Sequence, residues 1–256
     1  MHATTWGQRP AINNEFYEEL GERWYRDDEH IIALLRAEAK LKLAYLERIF
    51  GKHLGSKPQK IVDIGCGAGF IANGLASQGH EVLGVDLSAS SLAVAAKYAS
   101  RGAAVRYQQG DAGSIEAPSE SFDVALLLDV LEHVETPERL LAEAARLVRP
   151  GGLVFFHTFN RTQLARFLAI KAVSFVAKDS PPHFHVWHLF IKPAELVAMG
   201  ETLGLSDFHF QGIRPTVFHW PFWSSILKRR VHSDFSFSFT PNLALGYIGF
   251  ARKKEA

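Results

Sequence analysis

The sequence has a single cysteine and almost no net charge. One cysteine in 256 residues excludes an intramolecular disulfide framework and favours a reducing compartment. The 28 Lys and Arg residues nearly balance 27 Asp and Glu residues, and 47% of the chain is hydrophobic, which excludes an extended disordered chain. No apolar run reaches the roughly 18 residues of a membrane span, and no basic stretch followed by an apolar one opens the chain. We therefore expect a soluble, cytoplasmic protein whose residues 1–256 form a single domain.

The balanced total conceals two unlike parts that meet after Val154. Residues 1–154 carry a net charge of −5 and residues 155–256 a net charge of +6, and most of the 19 phenylalanines lie in the second part. This asymmetry indicates that the basic, aromatic part meets an anionic surface or a flat apolar ligand. A larger core with scattered surface charge would give the same counts. The basic clusters at 228–230 and 252–254 are too short to indicate binding of nucleic acid.

Strand-like and helical segments alternate from residue 60 onward, which predicts a doubly wound, mostly parallel α/β sheet with helices on both faces. Ser88 is the expected N-cap of the predicted helix at 88–101, and Pro150-Gly151-Gly152 is expected to end the predicted helix at 136–148. The predicted strands are 60–64, 81–86, 104–108, 122–128, 153–158, 205–212 and 243–251. The predicted helices are 28–54, 68–78, 88–101, 136–148 and 193–204.

Three glycines, Gly65, Gly67 and Gly69, follow the first predicted strand. Glycine at this place lets the backbone turn tightly and lets a ligand lie against the main chain beside helix N–H groups. The spacing is G-x-G-x-G and not the G-x-G-x-x-G of NAD-dependent enzymes, whose third glycine makes room for a pyrophosphate. The motif therefore favours a nucleoside ligand without a diphosphate.

Two carboxylates follow the next predicted strands. Asp86, 19 residues after Gly67, suits bidentate hydrogen bonding to the two hydroxyls of a ribose. Asp111, after the third strand, is placed to reach an adenine amino group. Either residue alone is a weak signal, but the order and spacing of the set predict an adenosine-binding site.

These motifs resemble those of class I S-adenosylmethionine-dependent methyltransferases, namely residues 63–69, Asp86 and residues 147–152. The resemblance implies a Rossmann-like, seven-stranded sheet, with residues 60–160 as the cofactor-binding core. A closer similarity, through residues 12–17, 34–38, 128–134, 156–161 and 190–196, is to the ubiquinone-biosynthesis O-methyltransferases, which methylate a catechol hydroxyl on a polyprenylated ring. It implies that Arg36 contacts the cofactor carboxylate and that Leu128 lies beside the cofactor.

The complete predicted set of cofactor-binding residues is Arg36, Asp63, Gly65, Cys66, Gly67, Gly69, Asp86, Leu87, Asp111, Ala112 and Leu128.

Asp129, Glu132 and His133 are the predicted catalytic residues. They follow the fourth strand, at the edge where open α/β sheets bind ligands, and on a helical turn they would share one face. Two carboxylates and an imidazole can hold a Mg²⁺ ion that binds catecholate oxygens. Alternatively, His133 is a general base without metal. A third interpretation is a helix cap with a satisfied surface pair.

Residues 161–204 and 214–242 are predicted to form the acceptor side, as a lid and an insertion. Residues 28–54 are predicted to form an N-terminal helical flank. Apolar residues between 164 and 176 recur at helical spacing, which indicates either a helix that lies on a membrane surface or a buried lid. The histidines at 183, 185 and 188 are expected in a loop over the acceptor and not in a zinc site.

The predicted function is methyl transfer from S-adenosylmethionine to a hydroxyl of a phenol, a catechol or a similar quinone precursor. Transfer to a carboxyl, nitrogen or carbon acceptor is the first alternative, and a cofactor-binding regulator without catalysis is the second. The sequence predicts peripheral contact with the inner face of a membrane and leaves the oligomeric state open.

Overall fold

A computed structural model describes residues 11–255, with the side chain of Ser174 excepted. Eight strands form one sheet in the order β3-β2-β1-β4-β5-β8-β6-β7. Strands β1 to β5 pair in parallel, whereas β8, β6 and β7 extend the sheet through antiparallel pairs. The strands are β1 (Lys60–Ile64), β2 (Glu81–Asp86), β3 (Val105–Gln109), β4 (Phe122–Leu128), β5 (Val148–Phe159), β6 (Leu205–Pro215), β7 (Phe237–Thr240) and β8 (Gly246–Lys253).

The predicted doubly wound sheet is confirmed, with one strand more than the seven expected. The added strand is β7, which pairs with β6 at the sheet edge and lies in the segment 214–242. Strand β5 also begins five residues before the predicted start, because the pairing with β4 shifts register around Pro150-Gly151-Gly152 and continues on both sides. The Pro-Gly-Gly sequence is thus an irregularity within the strand and not the turn before it.

Nine α-helices flank the sheet within the described residues. They are α1 (Phe16–Glu19), α2 (Arg23–Arg26), α3 (Ile32–His53), α4 (Phe70–Ser77), α5 (Ala89–Lys97), α6 (Pro137–Leu147), α7 (Gln163–Arg166), α8 (Pro193–Thr202) and α9 (Trp220–Lys228). The Ser88 side chain accepts a hydrogen bond from the backbone N–H of Ser91, which confirms the predicted N-cap of α5. Between residues 11 and 255, no helix is both long and apolar enough to cross a membrane.

The two faces of the sheet bury separate cores. One core contains apolar residues of α3 and α4, among them Leu46, Phe50 and Leu75, and the other contains residues of α6 and α8, among them Leu141 and Leu196. Because β1, β4 and β5 lie between these cores, they are buried on both faces and have the continuous apolar sequences of central parallel strands. This packing fixes the carboxyl ends of β1, β2, β4 and β5 at one edge.

The region from residue 163 to 175 is helical but irregular. Helix α7 is followed by a π-helix at Phe167–Ala172 and a 3₁₀-helix at Val173–Phe175. The changes of helical pitch rotate the apolar side chains away from a single stripe. The one continuous helix that the apolar spacing suggests is therefore replaced by three short turns.

Candidate active site

Two neighbouring cavities open at the carboxyl ends of the parallel strands. The smaller has a volume of about 370 Å³ and includes the residues that follow β1, β2 and β4. The larger has a volume of about 630 Å³ and extends toward residues 164–185 and 213–246. Tyr17, Leu35, Asp129 and His133 line both cavities. Ligands in the two cavities would therefore meet beside these four residues, which we call the junction.

The glycine turn after β1 forms part of the smaller cavity. Gly65 and Gly67 have φ values of 75° and 52°, in the left-handed region that favours glycine. A Cβ atom on Gly65 would lie 2.5 Å from Val130, and one on Gly67 would lie 3.0 Å from the ring of Trp24. The main chain at this turn is therefore closely packed and leaves no room for side chains.

Asp86 is held rigidly at the end of β2. Its carboxylate accepts hydrogen bonds from the backbone N–H groups of Gly67 (2.8 Å) and Ser88 (2.9 Å), and burial raises the pKa of the carboxyl. Each oxygen retains capacity for a further hydrogen bond. The neighbouring side chain of Leu87 is 68% exposed and lines the same cavity. A carboxylate beside an open apolar side chain fits the ribose and the base of an adenosine.

Most of the predicted cofactor residues surround this cavity. Those that line it are Asp63, Gly65, Cys66, Gly67, Asp86, Leu87, Ala112 and Leu128. Arg36, Gly69 and Asp111 do not line it. Each of the three has structural contacts outside this cavity.

The three outlying residues have structural contacts. The Arg36 guanidinium donates to the carbonyl oxygen of Trp24 (3.0 Å) and pairs with Asp28 (2.5 Å). Gly69 is the left-handed N-cap residue of α4. The Asp111 carboxylate accepts from the N–H of Gly113 and from Arg139, 2.8 and 2.7 Å away.

Lys42, which sequence analysis did not identify, is the cation that lines the smaller cavity. Its side chain is 2% exposed, and its ammonium pairs with Glu38 (2.9 Å) and with Asp129. Burial alone would lower the pKa of Lys42, but the two carboxylates raise it to about 12. In the sequence, Glu38 and Lys42 look like a solvent-exposed i, i+4 pair, so only the fold reveals their burial.

Asp129 is a fixed negative charge at the junction. It follows β4 with a φ of 57°, and His157 Nδ1 lies 2.5 Å from its carboxylate, which also pairs with Lys42. Burial opposes ionisation, but Lys42 and His157 hold the pKa of Asp129 well below its ordinary value. Asp129 therefore stays ionised and is a poor proton acceptor at neutral pH.

Glu132 and His133 lie in a 3₁₀ turn, Leu131–His133, and not in the α-helical turn on which the predicted shared face depends. Glu132 is fully buried, and neither carboxylate oxygen has a hydrogen-bond partner among the described residues. Burial and the charge of Asp129 raise the pKa of Glu132 to about 7. Burial lowers the pKa of His133 to about 4, so its imidazole is neutral at pH 7.

The predicted metal ligands Asp129, Glu132 and His133 divide between two clusters. Within residues 11–255, possible ligand atoms lie within 4.8 Å of one another in Glu38/Asp129/His157 and in Glu132/His133/His185. The Lys42 ammonium already forms ion pairs with both carboxylates of the first cluster. The second offers two nitrogens and one carboxylate, whereas Mg²⁺ prefers oxygen ligands. Neither cluster suits the expected magnesium ion.

The larger cavity is lined mainly by apolar side chains. Leu168, Val173 and Phe175 come from the irregular helical region, and Phe222 and Ile226 come from α9. His185 of the predicted histidine loop also lines this cavity, whereas His188 lies 3.6 Å from Glu135. Its carboxylates and imidazoles, Glu38, Asp129, Glu132, His133, His157 and His185, lie at or beside the junction, whereas Arg214 on β6 and the polar residues Thr240 and Asn242 line the remaining part.

Comparisons with known proteins agree with the geometry. The methyltransferase domain family matches residues 62–156. A ubiquinone biosynthesis O-methyltransferase of Pectobacterium carotovorum is 34% identical over 218 residues, covering 80% of this chain and 87% of the relative. Another, of Azorhizobium caulinodans, is 33% identical over 211 residues, covering 79% and 82%.

Solved structures show the same fold. A possible histamine N-methyltransferase of Thermotoga maritima superposes with a TM-score of 0.63 at 20% identity, covering 94% of this chain and 99% of the other. A magnesium protoporphyrin IX methyltransferase of Synechocystis with bound S-adenosylhomocysteine gives a TM-score of 0.61 at 18% identity, covering 94% of each chain. The identity and coverage of the curated relatives show that the chain belongs to the ubiquinone biosynthesis O-methyltransferase family of S-adenosylmethionine-dependent methyltransferases.

Proposed function

We propose that the protein transfers the methyl group of S-adenosylmethionine to a hydroxyl of a phenol or catechol that carries an apolar tail, such as a quinone precursor. The observation that carries the proposal is the junction, where a neutral imidazole and a fixed carboxylate line both cavities. The smaller cavity, with Asp86 and the glycine turn, would hold the cofactor. The larger would hold the acceptor.

The bound cofactor supplies a sulfonium methyl that is already activated for in-line displacement. The acceptor hydroxyl must lose its proton as its oxygen bonds to the methyl carbon, and for a phenol of pKa near 10 this costs about 4 kcal/mol at pH 7. We assign the proton to His133. Because burial lowers its pKa to about 4, the neutral ring accepts the proton in the same step as the bond to the methyl carbon forms, when the hydroxyl becomes much more acidic. The carboxylate of Asp129 favours the resulting imidazolium electrostatically. His133 gains the positive charge that the sulfonium loses, so the net charge of the site is conserved.

A base without a metal ion is the mechanism that the side chains support best. Lys42 and His157 engage the carboxylate of Asp129, so it is not free to coordinate an ion. Glu132 is buried with no hydrogen-bond partner among the described residues, and its raised pKa of about 7 favours a protonated carboxyl group, which is a poor ligand for an ion. A transition metal bound by Glu132, His133 and His185 is the alternative that chelation tests.

The size and lining of the larger cavity support an acceptor with an apolar tail. Its volume of about 630 Å³ is typical of a pocket for a whole organic ligand, and apolar side chains dominate its walls away from the junction. Such walls favour an apolar chain by about 0.8 kcal/mol for each methylene that they bury.

The exposed apolar side chains support contact with a membrane. All but one of the large exposed hydrophobic residues in the described part of the chain lie in two segments that also line the larger cavity; they are Leu164, Phe167, Phe175, Phe218, Trp220, Trp223 and Leu227. Helix α9 ends in the basic sequence 228–230, and the part of the chain after Val154 has a net charge of +6. We therefore place these two segments against the anionic inner face of a membrane, with the protein on the cytoplasmic side.

The acceptor can be identified by presenting catechols with polyprenyl tails and short soluble catechols to the enzyme with labelled S-adenosylmethionine. We expect a singly O-methylated product and a kcat/KM at least about 10-fold higher for the long-tailed acceptors, because the walls bury several methylenes. The variant Asp86→Ala, which should not bind the cofactor, controls for background methylation. A preference for short catechols, a methyl on carbon, nitrogen or a carboxyl, or cofactor binding without turnover would contradict the proposal.

A further inference from the structure

Asn14 makes two hydrogen bonds to a single residue, His133. The Nδ2 group of Asn14 donates to the main-chain carbonyl oxygen of His133 at 2.9 Å. The Oδ1 atom of Asn14 lies 3.1 Å from Nδ1 of the His133 ring. The two residues are 119 positions apart in the sequence, so the contact exists only because the segment before α1 packs against the turn after β4.

The chemistry of the four atoms allows only one arrangement of hydrogens. A main-chain carbonyl oxygen can only accept, so the NH₂ group of Asn14 must face it and the amide oxygen must face the ring. An amide oxygen also can only accept, so Nδ1 of the neutral His133 ring must carry the proton. The lone pair of the ring is then on Nε2.

Nε2 is the edge of the ring that remains available to a ligand. No described residue forms a hydrogen bond with it, although His133 is only 8% exposed and lines both cavities. The rings of Tyr17 and His185 lie beside His133, with centroids 5.8 and 5.3 Å away. Nδ1 is closed off by Asn14.

We propose that Asn14 is a positioning residue that fixes His133 in the Nδ1–H tautomer, so that Nε2 is the atom that takes the proton of the acceptor. The inference rests on the proposed function, because the tautomer matters for catalysis only if His133 is the base. Asn14 acts through His133 and has no need to touch the acceptor. In its absence the neutral ring would divide between two tautomers, one of which has no lone pair on Nε2.

The test combines nitrogen NMR of histidine-labelled protein with kinetics in three variants. Asn14→Leu removes both hydrogen bonds, and Asn14→Asp keeps an acceptor at Nδ1 but loses the donor to the carbonyl. Asn13→Leu is the matched control, because the Asn13 side chain makes an exposed hydrogen bond to Pro182. The His133 signals are assigned by comparison with His133→Gln. Asn14 is itself an exposed residue, so these substitutions should leave the fold intact, which thermal melting checks.

We expect the wild type and Asn13→Leu to show a protonated Nδ1 and an unprotonated Nε2 at His133. Asn14→Leu should show a mixture of tautomers and a kcat reduced about 2–5-fold, in proportion to the loss of the Nδ1–H form, with the KM of the acceptor nearly unchanged. Asn14→Asp should keep the Nδ1–H tautomer and move the acidic limb of the kcat/KM profile to higher pH. The other titratable groups facing the ring, Tyr17, Asp129, Glu132 and His185, are the same in all three variants.

The two proposals fail in different ways. An unchanged Nδ1–H tautomer in Asn14→Leu would overturn the role of Asn14, whatever the activity. A mixed tautomer with unchanged kcat would instead overturn His133 as the base, and with it the purpose of the positioning. Asn14→Asp with an unshifted pH profile would contradict a contact between Asn14 and the ring during turnover.

Discussion

At the scale of single residues, two carboxyl groups three positions apart have opposite ionisation behaviour. Asp129 is half-buried beside Lys42 and His157, which favour its charged form. Glu132 is buried without a hydrogen-bond partner among the described residues, and the charge of Asp129 repels its own. One residue therefore supplies a constant negative charge, and the other holds a proton near neutral pH.

Glu132→Gln should change how stability depends on pH. Because burial raises the pKa of Glu132 to about 7, the folded state retains a proton that the unfolded state has lost above pH 4.5. The contribution of this proton to the free energy of unfolding is therefore highest below pH 4.5. It falls as the pH rises toward 7, where the folded state also loses the proton. In urea unfolding, the stability of Glu132→Gln relative to wild type should increase by about 1–3 kcal/mol between pH 4.5 and 7.5. Glu138→Gln on α6 serves as a surface control, and parallel curves for Glu132→Gln and wild type would contradict the account.

The residues that sequence analysis identified are those whose role depends on local backbone. Gly65, Gly67 and Asp86 follow strands directly, so their spacing places them at one edge of a parallel sheet. Lys42, Asn14 and His157 gain their roles from partners 28 to 119 positions away. No local pattern distinguishes them from a surface lysine, a turn asparagine and a strand histidine.

At the scale of elements, regular segments were predictable and irregular ones were not. Strands β1, β2 and β4 have the predicted bounds because their apolar runs are sharply limited by polar residues. Strand β7 was missed although residues 235–239 alternate Phe and Ser, which is the period of a half-buried strand. The π and 3₁₀ turns after α7 follow no simple hydrophobic period.

Helix α9 should contribute directly to membrane binding. Phe222 and Ile226 line the larger cavity, whereas Trp220, Trp223 and Leu227, at i, i+3 and i+7, form its exposed face. Co-sedimentation with phosphatidylglycerol vesicles should be strong at low salt, weaker at high salt, and reduced at least about 10-fold by Trp220→Ser with Trp223→Ser.

Arg101→Ser, an exposed change in the cofactor half, is the control for that experiment and should bind vesicles as the wild type does. Absence of wild-type binding at low salt would remove the membrane proposal. It would leave the exposed face of α9 without its proposed partner and would not affect the assignment of the cofactor cavity.

At the scale of the whole molecule, the charge asymmetry corresponds to the arrangement of the cavities. All residues that line the smaller cavity precede residue 135, in the acidic part of the chain. The larger cavity takes most of its lining from the basic, Phe-rich part. One continuous sheet joins the two parts, so the junction at Asp129 and His133 is fixed by the fold.

The central claim is that His133 at this junction accepts the proton of the acceptor without a metal ion. The most direct measurement is the turnover of a catechol acceptor by wild type and His133→Ala, each with and without a chelator, together with calorimetric binding of S-adenosylhomocysteine. We predict a kcat about 100-fold or more lower in His133→Ala, partly restored as the pH approaches 10, with cofactor affinity unchanged and no effect of the chelator on wild type. Full activity of His133→Ala, or wild-type activity abolished by the chelator and restored by a divalent metal, would contradict the account.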